Sequence, residues 1–298
     1  MPLTFDRFIP FMGRSFSLRT FNRHETEINE HFWSFKVVSD YARYLANAEK
    51  DIDPKTSTAA LFKASGPDAE RIPPNVTQWL EAREELENWL RLSALVSAAA
   101  YLEVYLRQGI RSALMSDPLC RFGASRALDG TVLLKSGHEL PYTDEIAEIT
   151  KGDWNSRLAA FAKIFGRPLT GLSSHIATLE RVRRIRNDFA HGFGRDLSVP
   201  SPSDTTIAPA QHLSQATWIK YMGALSKAAA VIDNFLLNGF IGNFELIHFY
   251  HEWKSRPAHA LDEGYLPAEA LRRSYKRELS TSPSTKFCSD LIGYYDTF

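Results

Sequence analysis

Residues 92–114 have the sequence LSALVSAAAYLEVYLRQGIRSAL, and this stretch decides the fold class. Its apolar side chains recur at intervals of three and four residues, which places them on one face of an α-helix. The pattern predicts a core helix, or a pair of helices, within residues 75–115. The apolar stripe consists of Leu92, Leu95, Val96, Ala99, Leu102, Leu106, Ile110 and Leu114.

Helical periodicity also dominates the rest of the chain. In residues 211–238 the spacing is close to a heptad, and Glu25 and Glu27 suit the positive end of a first helix. Residues 116–150 are expected to be irregular, with one short strand at 131–134. The pattern therefore predicts an all-α bundle. Its further helices are expected at 25–49, 152–165, 172–190, 244–254 and 267–279.

Breaker-rich stretches suggest how the chain is divided. Proline and glycine residues are frequent between residues 53 and 74, and a second such stretch lies at 198–204. Such residues mark turns and linkers. The prediction is an N-terminal helical appendage with its linker at 1–70, a bundle at 75–255, and a C-terminal helix and tail at 256–298.

Composition restricts the class of protein. Lys+Arg and Asp+Glu balance at 35 each, so a nucleic-acid partner would need a local basic surface. Cys120 and Cys288 have no metal-binding or redox spacing, and this usage is typical of a reducing cytoplasm. No continuous apolar run resembles a signal peptide or a membrane span. We therefore expect a cytoplasmic protein without a membrane partner.

Residues 180–192 have the sequence ERVRRIRNDFAHG and carry the candidate chemistry. At about 100° per residue, Arg186 falls among Leu179, Val182, Phe189 and Ala190 on one helix face, whereas Arg181, Arg184 and Asp188 fall on the other side. Ser173 and Ser174 suit the N-cap of this helix, and Gly192 suits its end. A plain interpretation is a buried arginine paired with a carboxylate such as that of Glu103, with His191 as a C-terminal cation.

The segment from Arg186 to His191 resembles the defining motif of the HEPN superfamily, an arginine followed after four to six residues by a histidine. Asn187 fits the polar residue that often follows the arginine in that family. The resemblance covers residues 75–255 as architecture and six residues as a sharp motif. It implies an all-α, HEPN-like antiparallel helical bundle with an N-terminal helical appendage and a C-terminal helical tail.

The resemblance implies a metal-independent endoribonuclease that needs no cofactor. In this reaction the ribose 2′-OH attacks the adjacent phosphate. His191 would transfer the proton, and Arg186 would hold the phosphate. Asn187 would orient the phosphate or His191. A homodimer would bring two motifs into one cleft. The RNA backbone would be attracted by four arginines: Arg181, Arg183, Arg184 and Arg195. The alternative is that these arginines form only a solvated basic face.

Family tendency further suggests a toxin or phage-defence effector with an antitoxin or regulatory partner. Phe193 stands where some relatives have a modifiable tyrosine, so regulation by nucleotide modification is not expected. A second hypothesis is a non-catalytic HEPN-like module that binds RNA, a nucleotide or a protein. His248 and His251, with Glu245 or Glu252, form a weaker metal-site candidate that lacks an evident third ligand. The preferred hypothesis involves no metal.

Overall fold

The computed structural model describes residues 5–48, 55–138, 140–192, 211–257 and 264–297. These residues form an all-α structure, as the periodicity predicted, and they contain no β-strand, although one short strand was expected. Its helices are α1 Phe16–Ala48, α2 Thr58–Leu61, α3 Val76–Ser116, α4 Gly130–Lys135, α5 Thr143–Thr150, α6 Trp154–Phe165, α7 Ile176–Gly192, α8 Gln215–Leu236, α9 Phe244–Lys254, α10 Pro267–Leu279 and α11 Thr285–Tyr295.

The chain forms two compact units. Unit 1 takes Met1–Thr20, Glu103–Ser174 and Ala228–Phe298, and unit 2 takes Phe21–Leu102 and His175–Lys227. Unit 1 therefore includes both chain termini. The division into domains at 1–70, 75–255 and 256–298 stays a prediction.

One hydrophobic cluster of unit 1 is rich in aromatic side chains and is formed by α9, α10 and α11. The hydroxyl of Tyr275 is buried and donates to the carbonyl of Leu246 at 2.7 Å, so this large side chain leaves no unsatisfied polar group. The tail after residue 279 is helical, because Ser284 caps α11 by accepting a hydrogen bond from the Phe287 N–H at 3.1 Å. The core residues are Leu246, Ile247, Phe249, Tyr250, Trp253, Ala270, Leu271, Tyr275, Cys288, Leu291 and Tyr295.

Two sequence-based expectations in unit 1 are wrong. The predicted strand at 131–134 lies inside α4, and the stretch 116–150 also contains α5. The Asp129 side chain accepts hydrogen bonds from the Thr131 N–H at 2.9 Å and from its hydroxyl at 2.7 Å. This N-cap favours a helical turn, whereas no neighbouring strand in the described chain offers pairing.

The start of the first helix also differs from the prediction. Helix α1 begins at Phe16 rather than near residue 25, because Ser15 accepts a hydrogen bond from the Leu18 N–H at 3.1 Å. The carboxylate of Glu245 accepts the Phe16 N–H. These acceptors satisfy the backbone donors at the N-terminus of α1. Glu25 and Glu27, which were expected to stabilise the helix N-terminus, lie within the helix instead.

In unit 2, α1 runs antiparallel to α3 and α8. Along α1, Lys36 contacts Glu87 at 3.3 Å, and Asp40, farther along α1, contacts the earlier α3 residue Arg83 at 3.1 Å. The rings of Phe32 and Trp218 lie 4.2 Å apart. The N-terminal helix, expected in an appendage, thus packs against both long helices of this unit.

One segment, Gln215–Ile241, is long and apolar enough to cross a membrane by length and composition. Within its most apolar window, 61% is buried inside the structure. A buried core helix produces the same pattern as a membrane span, so the expectation of a protein without a membrane partner stays a prediction.

Candidate functional site

Helix α7 carries the predicted motif. The carbonyl of His175 accepts the Leu179 N–H at 2.9 Å, and α7 begins at Ile176. Ser173 and Ser174, the expected N-cap residues, lie in the preceding turn, so the helix starts slightly later than predicted. Its last helical residue is Gly192, the residue expected to end it.

The buried face of α7 consists of Leu179, Val182 and Ile185. Arg186 and Phe189 lie toward the end of the helix and are only half-buried. Arg186 thus lies beside the apolar face of α7, but its side chain is only partly removed from water. A partly hydrated guanidinium costs less free energy to hold in the fold than a fully buried one.

Asn187 contacts one of the two other motif residues, Arg186. Nη1 of Arg186 donates to Oδ1 of Asn187 at 3.4 Å, which is long for a hydrogen bond. His191 follows Asn187 by four residues, so the two share one side of α7. The backbone of His191 is helical, and its side chain lies outside the described part of the structure.

Glu180 was not predicted to be part of the site, yet it holds two of the four flanking arginines. Its carboxylate accepts from Nη2 of Arg183 at 2.6 Å and lies 3.5 Å from Nε of Arg184. The spacing of three and four residues on a helix was the available signal. The positive charge of this face is therefore partly matched within the helix itself.

Of the other two predicted RNA-binding arginines, Arg181 lies within the described part of the chain and Arg195 lies outside it. Arg181 is exposed on α7, on the side of the helix that the periodicity assigned to it. Arg195 lies outside the described residues, as do Phe193 and the breaker-rich stretch at 198–204. The described part of the candidate site on α7 thus consists of the half-buried Arg186 and Asn187, with Arg181 exposed on another side of the helix.

Comparison of the chain with protein-family models, with curated proteins and with solved structures found no match. The resemblance to the HEPN superfamily thus stays a prediction from the sequence of the motif at 186–191.

The weaker metal-site candidate on α9 is occupied by structural contacts. The Glu245 carboxylate accepts the Phe16 N–H, and Nδ1 of His248 lies 3.8 Å from Glu252. His251 packs edge-on against the ring of Tyr295, with centroids 5.0 Å apart. Among the described residues, no three metal-binding side chains cluster. Glu103, the suggested partner of Arg186, lies 3.6 Å from Arg157.

Unit 1 contains a buried acidic cluster that the sequence did not reveal. Asp233 accepts the Ser15 N–H at 3.1 Å and a short hydrogen bond from the Ser15 hydroxyl. Burial raises the pKa of Asp233, and burial also raises the pKa of Glu245 to about 7. Both carboxylates hold the start of α1, so their role is structural.

Proposed function

We propose that this protein is a metal-independent endoribonuclease of the HEPN type, with its reactive groups on α7. The observation that carries the proposal is the position of Asn187. It lies one residue after Arg186, accepts a hydrogen bond from it at 3.4 Å, and precedes His191 by one helical turn. One short segment thus presents a phosphate-binding fork, an orienting amide and a group that titrates near neutrality.

The proposed reaction needs only proton transfers. The ribose 2′-oxygen attacks phosphorus, the new O2′–P bond forms, and the P–O5′ bond breaks. His191 takes the proton from the 2′-hydroxyl or delivers one to the departing 5′-oxygen. Arg186 stabilises the charge on the phosphate oxygens. The products are a 2′,3′-cyclic phosphate and a 5′-hydroxyl, and DNA is spared because it lacks the 2′-hydroxyl.

The reaction needs an acid and a base, and one chain supplies one His191. We propose that two chains share a cleft, which a two-fold symmetric pair provides with one sequence. The biological role that follows is a cytoplasmic toxin or phage-defence effector, restrained by an antitoxin or another regulatory partner.

The test is cleavage of a mixed RNA pool by the purified full-length protein in EDTA. We expect cleavage with cyclic phosphate ends, and a loss of about 100-fold or more in rate for His191→Ala and for Arg186→Ala. Lys220→Ala is the matched control, because Lys220 is an exposed cation on α8 of the same unit. This control should cut at the wild-type rate.

Two results would contradict the proposal. Cleavage that survives His191→Ala would place the chemistry elsewhere. Absence of cleavage, with RNA or a nucleotide still bound in an Arg186-dependent way, would instead favour a non-catalytic binding module.

A further inference from the structure

Helix α1 exposes an apolar face in unit 2. Six of its side chains are large, apolar or aromatic, and between 36% and 70% exposed. On a helix of 100° per residue they fall within an arc of about 140°. We call these residues the α1 stripe: Trp33, Val37, Val38, Tyr41, Tyr44 and Leu45.

The α1 stripe is separate from the side of α1 that packs inside unit 2. Lys36 and Ser39 contact Glu87 on α3, at 3.3 and 2.8 Å. Phe32 is buried against Trp218 of α8. These contacts already bury one side of α1, and the stripe residues at 37, 38, 41 and 44 remain more than 60% exposed.

The area of the α1 stripe is large for a monomer surface. Since one buried aromatic side chain contributes about 150–250 Å², the exposed parts of the six residues amount to roughly 600 Å². Monomeric proteins rarely expose larger continuous apolar patches. Two such stripes would bury about 1,200 Å² together, which reaches the lower limit for a stable interface between two proteins.

The order of residues in the α1 stripe is self-complementary. If two copies of α1 pack antiparallel about the level of Ser39, residues equally distant from Ser39 face each other. Trp33 then meets Leu45 of the second copy, and Val37 meets Tyr41, so a large side chain faces a smaller one in these two pairs. The two other stripe residues, Val38 and Tyr44, face Asp40 and Ser34. The charged residues do not oppose this pairing, because Lys36 and Asp40 are bound by Glu87 and Arg83 on α3.

We propose that the α1 stripe binds a second copy of this chain, with the two α1 helices antiparallel across a two-fold axis. An isologous contact of this kind closes after two copies, so it yields a dimer. The α1 contact does not depend on RNA cleavage, and the two-fold pair proposed to share the α7 cleft is taken to be this same pair. Its tests therefore measure mass and cross-linking rather than RNA cleavage.

The first test is the mass of the full-length protein by sedimentation equilibrium. We expect wild type at twice the chain mass of 33.7 kDa. The double variant Val37→Glu/Tyr41→Glu places carboxylates opposite each other and should weaken association at least about tenfold. The corresponding double Lys variant should do the same, and an equal mixture of the two should restore the dimer.

The matched control is Ile219→Glu, because Ile219 is a 49%-exposed apolar residue on α8 of the same unit. This control should remain dimeric. Restored association in the Glu and Lys mixture also excludes a folding defect as the cause of dissociation. A monomeric wild type would overturn the proposal, as would a dimer that persists in both double variants.

The second test checks the antiparallel pairing. Ser34 and Tyr44 are exposed and equally distant from Ser39, whereas both native cysteines are buried. A mixture of Ser34→Cys and Tyr44→Cys chains should react with a short thiol cross-linker, and either variant alone should react poorly. Equal efficiency in the single-variant samples would overturn the antiparallel pairing.

Discussion

The backbone N–H of Phe16 donates to both carboxylate oxygens of Glu245, at 2.9 and 3.0 Å. The two residues are 229 positions apart in the sequence. This contact places a buried acid at the positive end of a helix of 33 residues. Burial raises the pKa of Glu245 to about 7, and the nearby Asp233 carboxylate also raises it, whereas the Phe16 N–H and the charge of Arg19 lower it.

The raised pKa of Glu245 predicts a loss of stability as pH rises from 4.5 to about 7. Between the ordinary value of 4.5 and about 7, the folded state binds more protons than the unfolded state. The stabilisation is therefore complete below 4.5 and is lost as pH rises through about 7. Glu245→Gln should remove this loss, which amounts to about 1 kcal/mol per pH unit in that window. Urea unfolding across this pH range measures it.

Glu252→Gln is the control for this prediction, because Glu252 is exposed on the same helix. Its pH profile should match that of wild type. A wild-type profile for Glu245→Gln would mean that Glu245 does not titrate in this range.

His251 should produce the opposite dependence. Burial, together with the smaller effect of the charge of Lys135, lowers the pKa of His251 to about 4. Between 4 and the ordinary value of 6.5, the unfolded state binds more protons, so stability falls as pH drops through this window. His251→Phe should reduce this acid sensitivity and keep stability at neutral pH, since both ring nitrogens lack a hydrogen-bond partner among the described residues.

Thermal melts at neutral and mildly acidic pH test the His251 prediction, with the more exposed His248→Phe as control. Equal acid sensitivity of wild type and His251→Phe would contradict it.

Glu180 should limit the affinity of α7 for RNA if the proposed function holds. Glu180→Gln removes the carboxylate that contacts Arg183 and Arg184. We expect this variant to bind RNA several-fold more tightly. We also expect the slope of log affinity against log salt concentration to steepen by about one for each arginine that then contacts a phosphate. Fluorescence anisotropy at several salt concentrations measures both quantities.

Glu84→Gln makes the same change of charge at an exposed site on α3 and should have little effect. If the two variants bind RNA equally well, the α7 arginines do not contact the phosphates.

Two glycines should respond oppositely to alanine. A Cβ at Gly130 would lie 1.7 Å from the Met115 carbonyl oxygen, which is backbone and cannot move aside. Gly130→Ala should therefore destabilise the protein by about 2 kcal/mol or more. Gly223 lies in α8 with open space around the added Cβ. Gly223→Ala should stabilise by about 0.5–1 kcal/mol. Urea unfolding compares the two, and a similar response would contradict the packing at Gly130.

The long helices could be predicted from the sequence because the period of apolar residues is a local property. Residues 92–114 lie in α3, and the order along α7 placed Arg186 beside an apolar face with Arg181 and Arg184 outside it. The four residues at 131–134 were misassigned, because a short apolar run fits either a strand or a helix. The N-cap at Asp129 distinguishes the two, and its strength depends on geometry.

What the sequence determined by itself was the helical class, the extent of the long helix α3 and the order of the candidate site residues on α7. The tertiary structure alone decided where α1 begins, because its N-terminus is satisfied by Glu245 from the far end of the chain. It also decided that Trp33, Val37 and Tyr41 remain exposed. An apolar pattern on a helix shows which faces avoid water, and only packing against other helices shows which of them are covered.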